Sequence, residues 1–340
     1  MNELFREGDF VESIEGFIFD VKGLVQPPNA VVAFVRYIPD ASGDRMKGSK
    51  RYRKIYELSE RYSFLQRTMP EYLVHDPVFD EDLIEVTRNR ILIHYEPLKK
   101  TRELLRNAET PLEQKTVDMI SCLASQSSVS KEEFGVSGSI LIGLAGPSSD
   151  IDIIVYGSQR CRKVKSALVT LLMEGSDFKP YDEEKVRGLY ESRLGETDVS
   201  FLDYKRCELR KDFQGSFKGT DFFVRYVKEP SEVDEKYGSL HYHAIGYEKL
   251  EGVVSKDDEA IFTPCTYILQ HACIKGYKGE APRQIVSFRG QFCEQAKKGE
   301  RIIARGKIEE CTDENGRFRR LLLGNTRRDF MVAYPSASGG

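Results

Sequence analysis

Apolar positions along the chain recur at two periods, and the period changes in blocks. Residues 8–38 read as strands and turns: aromatic and β-branched residues come in short runs, Gly23 and Pro27-Pro28 punctuate them, and AVVAFVRYI (30–38) is a strong strand pattern. The next segment, DASGDRMKGSKRYRK (40–54), is polar, basic and glycine-containing, which predicts an exposed loop. A helical pattern covers Tyr56 to Met69, and HDPVFDEDLIEV (75–86) reads as a turn leading into a further element. Helices are expected from about Leu98 to Ala108 and from Pro111 to about Ser125. The second has proline near its first turn and Val117, Ile120, Leu123 and Ala124 on one side.

Beyond these, Phe134–Ser139 and Asp150–Tyr156 read as strands. Cys161–Glu174 reads as an amphipathic helix with Val164, Ala167, Leu168, Leu171 and Leu172 inward. A mixed, charged region (177–218) precedes a clear strand at Asp221–Val227, and Pro230 with the acidic EVDEK marks a linker. From about 240 to 333 the pattern is β-rich, with segments spaced as in a small barrel or sandwich. The expected fold is therefore α/β (α+β), with a central mixed sheet flanked by β-rich modules. The expected division is an N-terminal module at 1–97, a central domain at 98–235 and a C-terminal barrel-like module at 236–335.

Composition narrows the class without naming a function. With 340 residues, 40% hydrophobic and 31% charged, the chain is globular and long enough for two or three cores. No apolar run approaches 18 residues and the N-terminus is too acidic and polar for a signal peptide, so a cytoplasmic, non-membrane protein is expected. Its 7 cysteines form no CxxC pair and no zinc spacing, which predicts reduced structural thiols. The net charge of −3 argues against a surface coated in phosphate-binding residues, yet Lys275–Arg328 is locally basic.

The chemistry concentrates in GSILIGLAGPSSDIDIIVY (138–156). Side chains alternate along a strand, so Asp150 and Asp152 face the same way, about 7 Å apart along the backbone. Two acids side by side on an otherwise apolar strand resist burial unless a cation sits between them. Divalent ions holding a triphosphate meet that need, because they prefer carboxylate oxygens and take few protein ligands. Gly138 permits a close backbone approach to a phosphate, and Ser139 offers a hydroxyl and a backbone N–H at the start of a helical turn. Gly143, Gly146 and Pro147 bend the chain back, so that the aspartate strand lies beside the Gly-Ser turn.

A Gly-Ser pair 11 residues before an Asp-x-Asp strand resembles the DNA polymerase beta-type nucleotidyltransferase superfamily, over roughly residues 115–230. The match includes Ser149 directly before the first aspartate and the apolar run after the second. The text also looks like an archaeal group of predicted nucleotidyltransferases of unassigned substrate. One departure stands out: many members carry an arginine shortly after Gly-Ser, whereas here Ile140, Leu141 and Ile142 fill that turn. The resemblance implies Mg²⁺ or Mn²⁺ on Asp150 and Asp152, a nucleoside triphosphate at Gly138, Ser139 and Ser149, and pyrophosphate as leaving group. It also implies a third carboxylate that ligates metal and accepts the proton of the attacking hydroxyl. Asp221, opening DFFVRYV, is the favoured candidate, with Phe223 and Arg225 on its face; Asp198, opening DVSFLDY on either a strand or a helix cap, competes. The acceptor is an RNA end, a protein hydroxyl or a small molecule. Interleaved aromatic and basic residues near the C-terminus favour RNA. The alternative is a nucleotide- or RNA-binding protein that keeps the fold without turnover.

Overall fold

The computed structural model describes residues 4–192, 198–276 and 279–335. They fall into two compact units: Met1–Pro77, Glu81–Lys179 and Gly215–Tyr237 make the first, and Val78–Asp80, Pro180–Gln214 and Gly238–Gly340 the second.

The first unit begins with a strand array: β1 (Phe10–Ser13), β2 (Ile18–Val21), β3 (Ala30–Pro39), β4 (Arg45–Lys47), β5 (Lys50–Lys54), β6 (Leu73–Asp76), β7 (Glu81–Thr87) and β8 (Ile91–Tyr95). Their order is β4-β5-β3-β2-β1-β8, and β7 pairs with both β3 and β6. Helix α1 (Leu58–Thr68) follows β5. The apolar centre gathers Val11, Phe19, Val31, Ala33, Val35, Leu65, Ile84 and Val86, so the 8–38 pattern and the 56–69 helix share one core. At the β6–β7 hairpin, Asp76 and Glu85 are both buried. Burial and the adjoining Asp76 push the Glu85 carboxyl up to about 7, while the Tyr237 hydroxyl donates to Asp76 Oδ2 at 2.9 Å.

The expected exposed loop at 40–54 is instead a hairpin of β4 and β5, registered Arg45↔Tyr52 through Lys47↔Lys50. Its strands carry almost no apolar residues, so the period-2 pattern is invisible in hydropathy. What anchors it is Tyr52, 1% exposed and packed with Phe10, Ile18 and Tyr37, and what turns it is Gly48 at φ 58°.

The same unit continues through α2 (Pro97–Arg106), α3 (Pro111–Ser127), β9 (Phe134–Val136), the single turn α4 (Gly138–Leu141), β10 (Ile151–Tyr156), α5 (Ser158–Glu174) and β11 (Phe178–Lys179). A complete capping box at Thr110 and Glu113 starts α3, with proline directly after the cap. The strand expected to reach Ser139 ends at Val136, because Gly138 turns left-handed at φ 61° and opens α4. In the second unit, α6 (Glu183–Ser192) and α7 (Phe201–Glu208) follow. Next, β12 (Gln214–Phe217) and β13 (Thr220–Val227) complete a five-stranded sheet ordered β11-β12-β13-β10-β9. Strands β10 and β13 run parallel, and β9 is antiparallel to β10. Helix α5 covers this sheet and packs on α3, with Cys161, Val164, Ala167 and Leu168 buried.

The N-terminal array is fused to this sheet. Leu141, Ile142 and Leu144 pack into one cluster with Phe10, Ile18, Tyr37 and Tyr52. The Ser137 hydroxyl donates to the Gly8 carbonyl at 2.8 Å, and a Cβ on Gly8 would lie 2.0 Å from Ile154 Cδ1. This explains the departure noted in the Gly-Ser turn: its aliphatic residues are the docking surface for the array.

The second unit is built on β14 (His241–Lys256), β15 (Cys265–Ile274), β16 (Gln284–Ser287), β17 (Arg301–Asp313), β18 (Gly316–Leu323) and β19 (Phe330–Tyr334). The order β14-β15-β16-β18-β17-β19, with β14 also paired to β17, closes the sheet into a barrel. The DENG sequence serves as the tight β17–β18 turn, its Asp313 side chain accepting from the Asn315 and Gly316 amides.

Candidate functional site

Asp150 ends the loop that precedes β10, and Asp152 is the strand's second residue. The strand register sets Asp152 beside Phe223 and Ile154 beside Arg225. The chain from Gly143 to Ser149 is tied in place by short bonds. The Ser149 hydroxyl accepts from the Gly146 amide at 2.9 Å and from Arg45 Nη1 at 3.1 Å. Ser149 therefore holds the loop that presents Asp150, and the Arg45 that grips it comes from the β4–β5 hairpin.

Gly138 makes its close approach to Asp152: a Cβ there would lie 1.9 Å from Asp152 Oδ2. At φ 61° the position also favours glycine for its backbone alone. The Ser137 amide donates to the Asp152 carbonyl at 2.9 Å, locking the turn against the strand. Ser139 is buried, and its Oγ has no hydrogen-bond partner, a condition that implies a missing one. Because α4 is only four residues long, the turn's polar groups act individually and not as a helix terminus.

These residues open onto a solvent-connected cleft. Its lining includes Asp150, Asp152, Gly138, Ser139, Phe223 and Arg225 from the central sheet, and Phe10, Asp20, Arg36, Tyr37 and Lys54 from the N-terminal array. The array's contribution rests on an irregularity. Strand β2 pairs Ile18 with Tyr37 and Phe19 with Val35, so Arg36 is an extra residue in β3 and both Arg36 and Tyr37 reach the cleft.

The electrostatics divide by position. Desolvation, followed by repulsion from Asp150, raises the Asp152 carboxyl to about 7, against the pull of Arg225, Lys54 and Arg36. Burial also raises Asp20, yet Lys22, Arg225 and Arg36 more than offset this and leave it below the usual carboxylate value. Asp20 Oδ2 lies 2.7 Å from Lys22 Nζ, and its Oδ1 has no partner. Arg225 is paired with fully buried Glu7 at 2.6 Å, and Glu7 also meets Lys22 at 3.4 Å. Burial, with Arg36 nearby, lowers the Lys54 ammonium, which lies 4.9 Å from the Tyr56 ring centroid.

The structure brings Gly138, Ser139, Asp150 and Asp152 together around one cleft, whereas Ser149 is one step behind it. Asp221 sits at the head of β13 on the face of Phe223 and Arg225, and the lining drawn from that strand is the latter two. Asp198 lies in the second unit ahead of α7, a helix capped by the Ser200 hydroxyl. Among the described residues no group of three His, Cys, Asp or Glu side chains forms a ready metal cluster. Nonetheless the pair fits a divalent ion: two crowded carboxylates beside an unpartnered hydroxyl.

Asp20, Arg36, Tyr37 and Lys54 escaped the sequence reading. The signal for Arg36 was present, since an arginine inside AVVAFVRYI requires a reason to be there. Nothing local marks Lys54 among its basic neighbours.

A model of nucleotidyltransferase domains matches residues 119–251, which spans the Gly-Ser turn, both aspartates and β13. An uncharacterized protein of the archaeon Methanocaldococcus jannaschii is 30% identical over 346 aligned positions, covering 96% of this chain and 97% of the relative. The chain belongs to the nucleotidyltransferase-domain family. No solved structure matches it. The family match starts inside α3, so the nucleotidyltransferase domain carries the aspartates while the array that supplies Arg36 and Lys54 precedes it. The similarity to that relative extends over the array, the domain and the barrel alike. Among the described residues no helix is long and apolar enough to cross a membrane.

Proposed function

We propose that the protein transfers a nucleoside monophosphate from a nucleoside triphosphate to a hydroxyl acceptor and releases pyrophosphate. The observation carrying this reading is the Asp150–Asp152 pair, which forms no ion pair among the described residues and in which burial and then the neighbouring Asp150 raise Asp152, beside the unpartnered Ser139 hydroxyl. Asp150 and Asp152 are the residues that would hold Mg²⁺ or Mn²⁺; such an ion, when bound, screens the phosphates and favours in-line displacement at the α-phosphorus. Two carboxylates suffice, because Mg²⁺ commonly completes its shell with substrate oxygens and water. Gly138 leaves room for the Asp152 carboxylate, Ser139 donates to a phosphate oxygen, and Ser149 fixes the loop beneath Asp150. Asp221 is the acid assigned to the attacking hydroxyl, from its place on the shared face of β13.

RNA is the acceptor class that the barrel supports. Register pairs Lys249 with Arg305 and Tyr247 with Lys307 on one face, and the Arg305 guanidinium lies 5.2 Å from the Tyr247 ring centroid, a mixture suited to stacked, charged strands. The competing reading, binding without turnover, draws on the lack of a third converging ligand among the described residues.

Incubation of the full chain with each labelled nucleoside triphosphate, Mg²⁺ or Mn²⁺ and total RNA tests both. Label in RNA that disappears in Asp150→Asn and Asp152→Asn supports transfer. Label in protein replaces the acceptor class, and nucleotide binding with no label anywhere establishes the non-transferring reading. Asp221→Asn should abolish transfer while retaining triphosphate binding; unchanged transfer removes Asp221 from the reaction.

A further inference from the structure

The cleft holds cations that form no direct ion pair with its carboxylates among the described residues. Arg225 is committed to Glu7, and Lys22 to Glu7 and Asp20. Among the described residues, Arg36 and Lys54 form no ion pair with a carboxylate, although both line the cleft with Asp150 and Asp152. Both are partly buried; Asp150 and Asp152 favour the charged Lys54 across the cleft without pairing with it, and a partly buried cation gains from a direct anionic partner. They also face each other's charge: Arg36 is the second contributor, after burial, to the lowered Lys54. An anion between them would relieve both effects.

Their placement combines one departure from regular structure with one regular pairing. Arg36 reaches the cleft as the extra residue of a bulge, and Lys54 ends β5 directly across from Tyr37. The two strands are linked again where the Ile55 amide donates to the Arg36 carbonyl at 2.9 Å. The pair is thus fixed by the sheet and not carried on a loose loop. Tyr37, 2% exposed, provides a rigid wall beside Lys54.

We propose that Arg36 and Lys54 form the subsite for the polyphosphate tail of the nucleotide, supplied by the N-terminal array from outside the region matched as a nucleotidyltransferase domain. It deepens the transfer reading above and rests on it for the identity of the nucleotide. The aspartates would hold the metal side of the ligand and the array its anionic tail. Guanidinium and ammonium suit this division, one giving forked hydrogen bonds and the other a compact charge.

The test uses the full-length chain with inorganic tripolyphosphate, the four nucleoside triphosphates and AMP as probes, titrated by calorimetry in the presence of Mg²⁺. Arg36→Gln and Lys54→Gln should each weaken tripolyphosphate about tenfold or more, the value of one charge-assisted contact, while AMP changes less than about twofold. Arg36→Lys and Lys54→Arg should recover part of the loss, with circular dichroism verifying that every variant is folded. A folded double glutamine variant that binds tripolyphosphate like the wild type overturns the subsite, as does a wild type that does not bind it. Binding that depends on Arg36 and Lys54 without any transfer leaves the subsite standing and removes the transfer reading. Intact transfer with unaltered binding in the variants does the reverse.

Discussion

The barrel and the cleft both take charge out of water, but they settle it differently. In the barrel, buried Glu309 meets Arg320 at 2.7 Å and Lys307 at 2.8 Å, and Arg320 lies over Tyr242 at 3.9 Å. In the same unit, Lys211 and Glu208 pair at 2.6 Å, with Gln214 donating to the remaining Glu208 oxygen at 3.0 Å. Glu309 and Glu208 each have a counter-charge in place. In the cleft, opposite charges line the same space without pairing: Asp150 and Asp152 form no ion pair among the described residues, and neither do Arg36 and Lys54. Neutralised burial favours a fixed structure, whereas charge left unmatched on facing walls describes a place built for something that carries both signs, such as a metal-bound phosphate chain.

Substitution should break this contrast in opposite directions. The largest effect is expected in Asp150→Asn and Asp152→Asn, where transfer should fall by about a thousandfold or more. Thermal unfolding without divalent ions should show Asp152→Asn at least as stable as the wild type, because a desolvated, crowded charge has been removed. A clear loss of stability would mean that the pair is already neutralised within the protein. Glu309→Ala should do the opposite, destabilising by about 3–5 kcal/mol because Arg320 and Lys307 lose their partner. Urea denaturation measures this, and a cost near that of a surface pair would erase the distinction between the two regions.

Gly138→Ala should cost about 1–3 kcal/mol through its left-handed backbone and the contact with Asp152, and should lower metal affinity by displacing that carboxylate. Metal titration of a folded variant checks it, and wild-type affinity would show that Asp152 tolerates the shift. The smallest effect concerns pH at Asp76 and Glu85. A carboxyl whose folded value is raised binds its proton more tightly in the folded chain, so stability is highest below the unfolded value of 4.5 and declines as pH rises through about 7. Glu85→Gln should flatten that decline in thermal unfolding followed from pH 5 to 8; an unchanged slope would assign it to other groups.

The parts of this molecule that were legible in its sequence are those whose signals are local. The apolar strand Ala30–Pro39, the proline-started α3 and the Gly138–Asp152 constellation each carry their pattern within about 20 residues. The β4–β5 hairpin was not legible because its single buried anchor, Tyr52, has partners far along the chain. Asp198 could be read either way because one segment supported both a strand and a cap, and Ser200 decided for the helix. Arg36 and Lys54 gain their meaning only after the aliphatic turn Leu141–Leu144 has docked on the array.

The extra residue in β3 has one more consequence. Since β2 passes from Tyr37 to Val35 without pairing Arg36, the side chain at that position is released from the demands of a cross-strand neighbour on β2. Mutation can therefore explore it while the ladder on either side stays in register. Relatives with the same architecture could diverge in what they accept by changing this single slot, making the bulge a point of evolvability in an otherwise constrained sheet.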